Sequence, residues 1–207
     1  MSATALLVAT RSQGKLREIR PMFAAAGLTL VSLDELEIDE SDDEKELEPY
    51  LTFEENALSK ARYFYEVSGG IPTVADDSGL EVEALGGRPG VKSKRWAGRD
   101  DLTGTALDEA NNQMLVRSIA GMHAPAARYV CVAALVGVGG LELTARGEST
   151  GTLLSAPRGS GGFGYDPYFL STELGKTFGE SSTEEKERVS HRGRAFRELL
   201  SRMRASR

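Results

Sequence analysis

Leu6-Leu7-Val8-Ala9-Thr10-Arg11-Ser12-Gln13-Gly14-Lys15-Leu16 is the stretch whose reading decides the class of fold. Leu6 to Ala9 reads as a buried strand and Thr10 to Gly14 as a polar loop. From Lys15 to Ala26 the apolar residues Leu16, Ile19, Phe23 and Ala26 recur at three- and four-residue steps, so this span predicts a helix, with Gly27 as its stop. Leu28 to Ser32 returns as a strand. A strand–loop–helix–strand opening predicts an α/β fold.

The loop in this opening is also a candidate site. It joins a strand to a helix N-terminus, where free N–H groups and the positive end of the dipole favour an anion. Lys15 adds a charge and Thr10 a hydroxyl. The phosphate-loop pattern G-x-x-x-x-G-K-[S/T] fails at both ends, because Ala9 stands in place of the first glycine and Leu16 in place of the hydroxyl. That disfavours a kinase or ATPase. A triphosphate loop of another design and an ordinary βα turn both remain open.

Further along, Ile71-Pro72-Thr73-Val74-Ala75-Asp76-Asp77-Ser78-Gly79 predicts a short apolar strand that ends in two adjacent carboxylates. Acids at the end of a buried strand lose solvation unless something uses their charge. The users are a divalent metal, a proton in transit, or the N–H groups of a turn. Upstream, Thr52-Phe53-Glu54-Glu55 is a capping box that opens a helix to about Val67, with Ala57, Leu58, Ala61, Phe64 and Tyr65 on its apolar face. Downstream, Asp108 to Ile119 reads as helix. Tyr129 to Val138 and Leu141 to Ser149 read as a hairpin around Gly139-Gly140. Ser182-x-x-Glu185 opens another helical region, and Gly193 to Met203 a last helix. The 207 residues are enough for one domain or for two small lobes sharing a core, and no long linker interrupts them.

Bulk properties exclude several classes. Net charge is −6, which does not favour a nucleic-acid backbone. The apolar run from Tyr129 to Val138 is too short to span a bilayer, so no membrane partner is expected. Met1-Ser2-Ala3-Thr4-Ala5-Leu6 lacks the basic region of a signal peptide, and the single cysteine, Cys131, reads as a buried reduced thiol. A cytoplasmic protein is expected. Ten acids and one lysine fall between Asp34 and Glu48, which reads as a solvated surface segment.

Two more segments carry candidate chemistry. Gly159-Ser160-Gly161-Gly162-Phe163-Gly164-Tyr165-Asp166 contains G-x-G-x-x-G, but Asp166-Pro167 follows where a dinucleotide fold would open a helix. A turn presenting Phe163 or Tyr165 for base stacking fits better, as does a structural loop whose rings fill the core. Ser190-His191-Arg192-Gly193 places an imidazole between a hydroxyl and a guanidinium, a recognition edge for phosphate or a base carbonyl. His123 has no such company.

Taken in order, these segments, with Leu85-Gly86-Gly87-Arg88-Pro89-Gly90-Val91 and Glu184-Glu185-Lys186, resemble the inosine triphosphatase-type pyrophosphatases of non-standard purine nucleoside triphosphates. The likeness spans nearly the whole chain. It implies an α/β fold with a long, mixed, twisted sheet and flanking helices, two lobes around a central cleft, and a homodimer. It implies hydrolysis of ITP, dITP and XTP to the monophosphate and pyrophosphate with Mg²⁺. Carried over, Thr10, Arg11, Ser12, Gln13, Gly14 and Lys15 would bind the triphosphate. Asp77 would be general base and metal ligand, with Glu48 a second metal-associated acid. Ser78 would contact substrate. Phe163, Gly164, Tyr165 and Asp166 would hold the base, with Lys186, His191 and Arg192 completing recognition. The chain differs from the usual pattern at Ser12, where asparagine is common, at Glu48-Pro49-Tyr50-Leu51, and at Trp96, where tyrosine is common. The competing class is a non-catalytic purine nucleotide-binding or regulatory protein, which would need the loop at Thr10 and the ring at Phe163 but no acids at Asp76 and Asp77.

Overall fold

The structure, a computed structural model, describes residues 5–206; the reading of the first four residues as no signal peptide lies outside them. The elements in chain order are β1 (Leu6–Val8), α1 (Gln13–Ala25), β2 (Leu30–Ser32), α2 (Phe53–Val67), β3 (Thr73–Val82), α3 (Gly104–Ser118), β4 (Ala126–Gly137), β5 (Leu141–Leu153), β6 (Phe169–Ser171), α4 (Thr183–Val189) and α5 (His191–Ala205). The strands form one sheet in the order β2-β1-β3-β4-β5-β6. It is mixed: β1 pairs in parallel with β2 and β3, while β5 and β6 are antiparallel. The α/β expectation holds.

The chain divides into two compact units. The first comprises residues up to Asp77, Cys131–Gly147 and the chain from Arg192 on; the second comprises Ser78–Val130 and Glu148–His191. The core of the first unit gathers Leu6 and Val8 of β1, Leu16, Ile19 and Phe23 of α1, Val74 of β3, Cys131, Ala133 and Leu135 of β4, and Ala195, Phe196 and Leu199 of α5. The core of the second gathers Leu80, Val82, Leu115, Tyr129, Leu153, Tyr165, Phe169, Phe178 and Val189. Among the described residues no helix is long and apolar enough to cross a membrane.

Local chemistry explains the helix starts. Ser12 caps α1 by accepting from the Lys15 N–H, Thr52 caps α2 by accepting from the Glu55 N–H, and Ser182 with Glu185 forms the expected capping box at α4. Pro21 lies inside α1 and does not break it. A mid-helix proline costs about 3 kcal/mol, and burial of Ile19, Met22 and Phe23 on either side offsets it.

Three expectations are corrected. β3 does not end at the acids; it runs through Asp76, Asp77, Ser78 and Gly79 to Val82. Charge partners on neighbouring elements permit this, and Gly79 permits the close packing that follows. A Cβ on Gly79 would lie 2.2 Å from the Gly90 carbonyl oxygen and 2.6 Å from Ser93 Oγ. Ser93 Oγ itself accepts from the Leu80 N–H at 2.8 Å. β5 extends past Ser149 to Leu153, because Gly151, Thr152 and Leu153 pair with β6, a strand too short to read from the sequence. α5 begins at His191, before Gly193.

Phe196 is fully buried, with its ring 5.8 Å from that of Phe23 in an edge-on arrangement. Phe196→Ala is expected to cost about 3–5 kcal/mol. Urea unfolding checks this through a lowered midpoint at unchanged slope; a loss below about 1 kcal/mol would contradict the assigned core.

Candidate active site

Asp76 and Asp77 are both buried in β3 of the first unit, 1% and 5% exposed. Successive side chains of a strand point to opposite faces, and the two carboxylates accordingly keep different company. Asp76 Oδ2 lies 3.0 Å from Lys15 Nζ of α1 and 3.4 Å from Arg192 Nε of α5. Cys131 Sγ of β4 donates to the same oxygen at 3.7 Å. Burial opposes ionisation of Asp76, but Lys15, Arg192 and Lys60 outweigh it and hold the carboxyl below its ordinary range. Arg192 is itself buried and also pairs with Glu18 of α1.

Asp77 turns to α2. Its Oδ2 accepts from Asn56 Nδ2 at 3.0 Å. Burial pushes the carboxyl up to about 6; the charge of Glu48 adds to the rise, while Lys60, Lys15 and Asn56 oppose it. Lys60, one turn beyond Asn56, pairs with Glu48. Its ammonium is held above the ordinary lysine range: burial opposes the charge, and Glu48, Asp77 and Asp76 together prevail. The Thr10–Lys15 loop packs on the same unit. Thr10 Oγ1 accepts from the Ser12 N–H at 3.1 Å. Gly14 is buried and Gln13 exposed. The Arg11 guanidinium is taken up by Glu44, with Nη2 2.7 Å from Oε1 and Nε 3.2 Å from Oε2, and by the Ile38 carbonyl at 2.8 Å.

In the second unit, Lys186 Nζ lies 2.6 Å from Asp166 Oδ2, and both side chains are buried. The same oxygen accepts from the Phe163 N–H at 2.8 Å. The Lys186 ammonium sits 5.0 Å from the centre of the half-buried Phe163 ring, within cation–π range. Gly162 adopts φ +72°, and a Cβ there would meet Asp166 Oδ2 at 2.1 Å, so glycine is required. Tyr165 is buried, and its hydroxyl donates to the Ser93 carbonyl at 2.7 Å. Gly164 is held through its N–H by Asp108 and through its carbonyl by Asn112. The buried His191 ring stacks on Tyr129 at 4.4 Å. Ser78 is half-buried.

The Ham1 family profile matches residues 6–202 of the chain. The chain is 45% identical over 203 residues to a dITP/XTP pyrophosphatase of Frankia alni, covering 96% of both. It is 48% identical over 201 residues to a dITP/XTP pyrophosphatase of Mycolicibacterium paratuberculosis, covering 94% of this chain and 93% of that one. The Staphylococcus aureus Ham1 protein superimposes with a TM-score of 0.81 at 32% identity, over 98% of this chain and all of that one. The chain belongs to the Ham1 family.

Within this Ham1 chain the structure brings Lys15, Glu48, Asp77 and Arg192 into one unit, and Phe163, Asp166, Lys186 and His191 into the other. Several predicted residues have internal partners, Arg11 with Glu44 and the Ile38 carbonyl among them. Arg192 serves Asp76 and Glu18, Lys186 serves Asp166, and the Tyr165 hydroxyl serves Ser93. Among the predicted triphosphate-loop residues, Lys15 keeps a side chain that is 17% accessible. Sequence reasoning missed Asn56 as a site residue, and Lys60 and Glu18 altogether. A signal for the first two existed: Asn56 and Lys60 fall one turn apart, beside Ala57, Ala61 and Phe64 on a helix face that is otherwise apolar.

Among the described residues no three His, Cys, Asp or Glu side chains gather as a metal site. Magnesium commonly takes only one or two protein carboxylates, with substrate phosphates and water completing its shell. Asp77 and Glu48 are two carboxylates of the kind such a site would use. The charge of Glu48 opposes ionisation of Asp77, a repulsion that a cation between them would relieve and that Lys60 relieves in part.

A carboxyl with a folded-state pKa of about 6 holds its proton more tightly than in the unfolded chain. Its contribution is fully present below the unfolded value near 4 and is lost as pH rises through 6. Asp77→Asn removes that loss. In metal-free protein it is expected to raise stability by on the order of 2 kcal/mol at pH 7.5 and by little at pH 4.5. Urea titrations at both pH values check this; equal effects at the two would contradict it.

Proposed function

We propose that this chain hydrolyses non-standard purine nucleoside triphosphates (XTP, ITP and dITP) to the monophosphate and pyrophosphate, removing them from the nucleotide pool. The observation that carries the reading is the pair of adjacent carboxylates whose pKa values are shifted in opposite directions, in a chain some 45% identical to dITP/XTP pyrophosphatases. Two carboxyls whose environments push them apart mark an acid–base site.

In this reading water attacks phosphorus, the bond between the α- and β-phosphates breaks, and pyrophosphate leaves. Asp77 takes the proton of the attacking water. Its carboxylate is held for this by the Asn56 amide, and in the metal-free protein burial raises it above the ordinary aspartate range. Asp76 stays ionised and holds Lys15 in place, so the lysine presents its charge from a fixed position. The first turn of α1 faces the phosphates with Lys15 and no acid of its own. Mg²⁺, held by Asp77 and Glu48, would supply charge neutralisation on the phosphates and a lowered pKa for water. Phe163 supplies the ring on which the base stacks, stiffened by Lys186 and Asp166. A site that hydrogen-bonds a purine 6-oxo group leaves its donors unpaired against a 6-amino base, which discriminates by about 10⁴. A homodimer in the cytoplasm belongs to the same reading.

Incubation with XTP, ITP, dITP and the four standard triphosphates tests it. Mg²⁺-dependent release of pyrophosphate from the 6-oxo substrates is expected, with Asp77→Asn slowed at least about 10²-fold at unchanged fold. Orthophosphate as the product, a preference for ATP, or tight ITP binding without turnover would overturn it.

A further inference from the structure

Between Leu33 and Phe53, both buried, no residue of the chain is buried. This span contains the acidic run and ends with Glu48. With only the half-buried Leu36, Ile38 and Leu47 as apolar contacts, and with ten like charges against one lysine, it gains little from core packing and repels itself. Its course is instead fixed by a few polar side chains of the first unit. At one end Arg11 grips Glu44 with two nitrogens and the Ile38 carbonyl with a third. In the middle the hydroxyls of Ser41 and Tyr63 meet at 3.0 Å. At the other end stands Asn56.

Asn56 is 1% exposed, and its amide is fully used. Its Oδ1 accepts from the Tyr50 N–H at 2.9 Å, and its Nδ2 donates to the Tyr50 carbonyl at 3.2 Å and to Asp77 Oδ2 at 3.0 Å. The orientation is unambiguous, because the Tyr50 N–H demands an acceptor and the Asp77 carboxylate a donor. One side chain therefore ties the backbone two residues beyond Glu48 to the carboxylate of Asp77.

We propose that residues 38–50 form a strap clamped by Arg11 and Asn56, and that these two positioning residues set Glu48 against Asp77 for cation binding. This rests on the proposed function for the identity of the cation. It removes Arg11 from the groups that contact triphosphate. Partners that orient metal-ligating carboxylates typically change affinity 10–100-fold when lost.

The test is Mn²⁺ binding, followed by electron paramagnetic resonance without nucleotide, on wild type, Asn56→Ala, Asn56→Leu and Arg11→Ala. Each variant is expected to bind Mn²⁺ 10–100-fold more weakly, with near-UV circular dichroism as in wild type. The Mg²⁺ concentration for half-maximal turnover should rise in parallel, while the KM for XTP at saturating Mg²⁺ moves less than about threefold. Arg11 acts at the exposed end and keeps the test available if the Asn56 variants fail to fold. Unchanged Mn²⁺ affinity in Arg11→Ala, or a rise in KM with unchanged Mn²⁺ affinity, would overturn the strap. A wild type that binds Mn²⁺ but does not turn over XTP would overturn the proposed function and leave the strap standing.

Discussion

Everything in the first unit turns on one buried negative charge. Asp76 lies inside a strand with almost no solvent contact, and such a charge is tolerable only with partners at hand. Those partners come from three other elements: Lys15 from α1, Arg192 from α5 and Cys131 from β4. Arg192 in turn reaches Glu18, so α1 and α5 are joined through charge as well as through Phe23 and Phe196. Removing one member of such a set strands the others, a loss of about 3–5 kcal/mol. The position of Lys15 at the start of α1 is therefore bound to the integrity of the core.

Strand geometry turns this constraint into chemistry. Neighbouring residues of a strand face opposite ways, so the cations that serve Asp76 do not equally serve Asp77. Asp77 faces α2, where it accepts from the Asn56 amide and where Lys60, one turn on, pairs with Glu48. One carboxyl is held below its ordinary range and the next is raised to about 6, from a dipeptide of identical residues. That difference separates a structural charge from a base.

The sequence made much of this legible. The apolar steps at Leu16, Ile19 and Phe23 gave α1 its place, and hydroxyl caps at Thr52 and Ser182 gave α2 and α4 theirs. β6 was not legible, since three residues become a strand only when β5 is there to pair with them. The continuation of β3 past the acids was hidden for the same kind of reason: the partners of Asp76 lie far along the chain, at Lys15, Cys131 and Arg192. Arg192 and Lys186 were expected to take part in recognition, and the sequence does not show that they also pair with Glu18 and Asp166. Asn56 and Lys60 were legible in principle, as polar residues on an apolar helix face. The acidic run was rightly read as surface, but its attachment through Arg11 and Asn56 depends on contacts no local pattern records.

The central claim is that adjacent acids in one strand are tuned apart. Titrating the side-chain carboxyl carbons of metal-free protein by ¹³C NMR tests it most directly. The account predicts that Asp77 titrates near 6 while Asp76 remains ionised to the lowest pH at which the fold persists. Two aspartates titrating together near 4, as in unfolded chains, would contradict it.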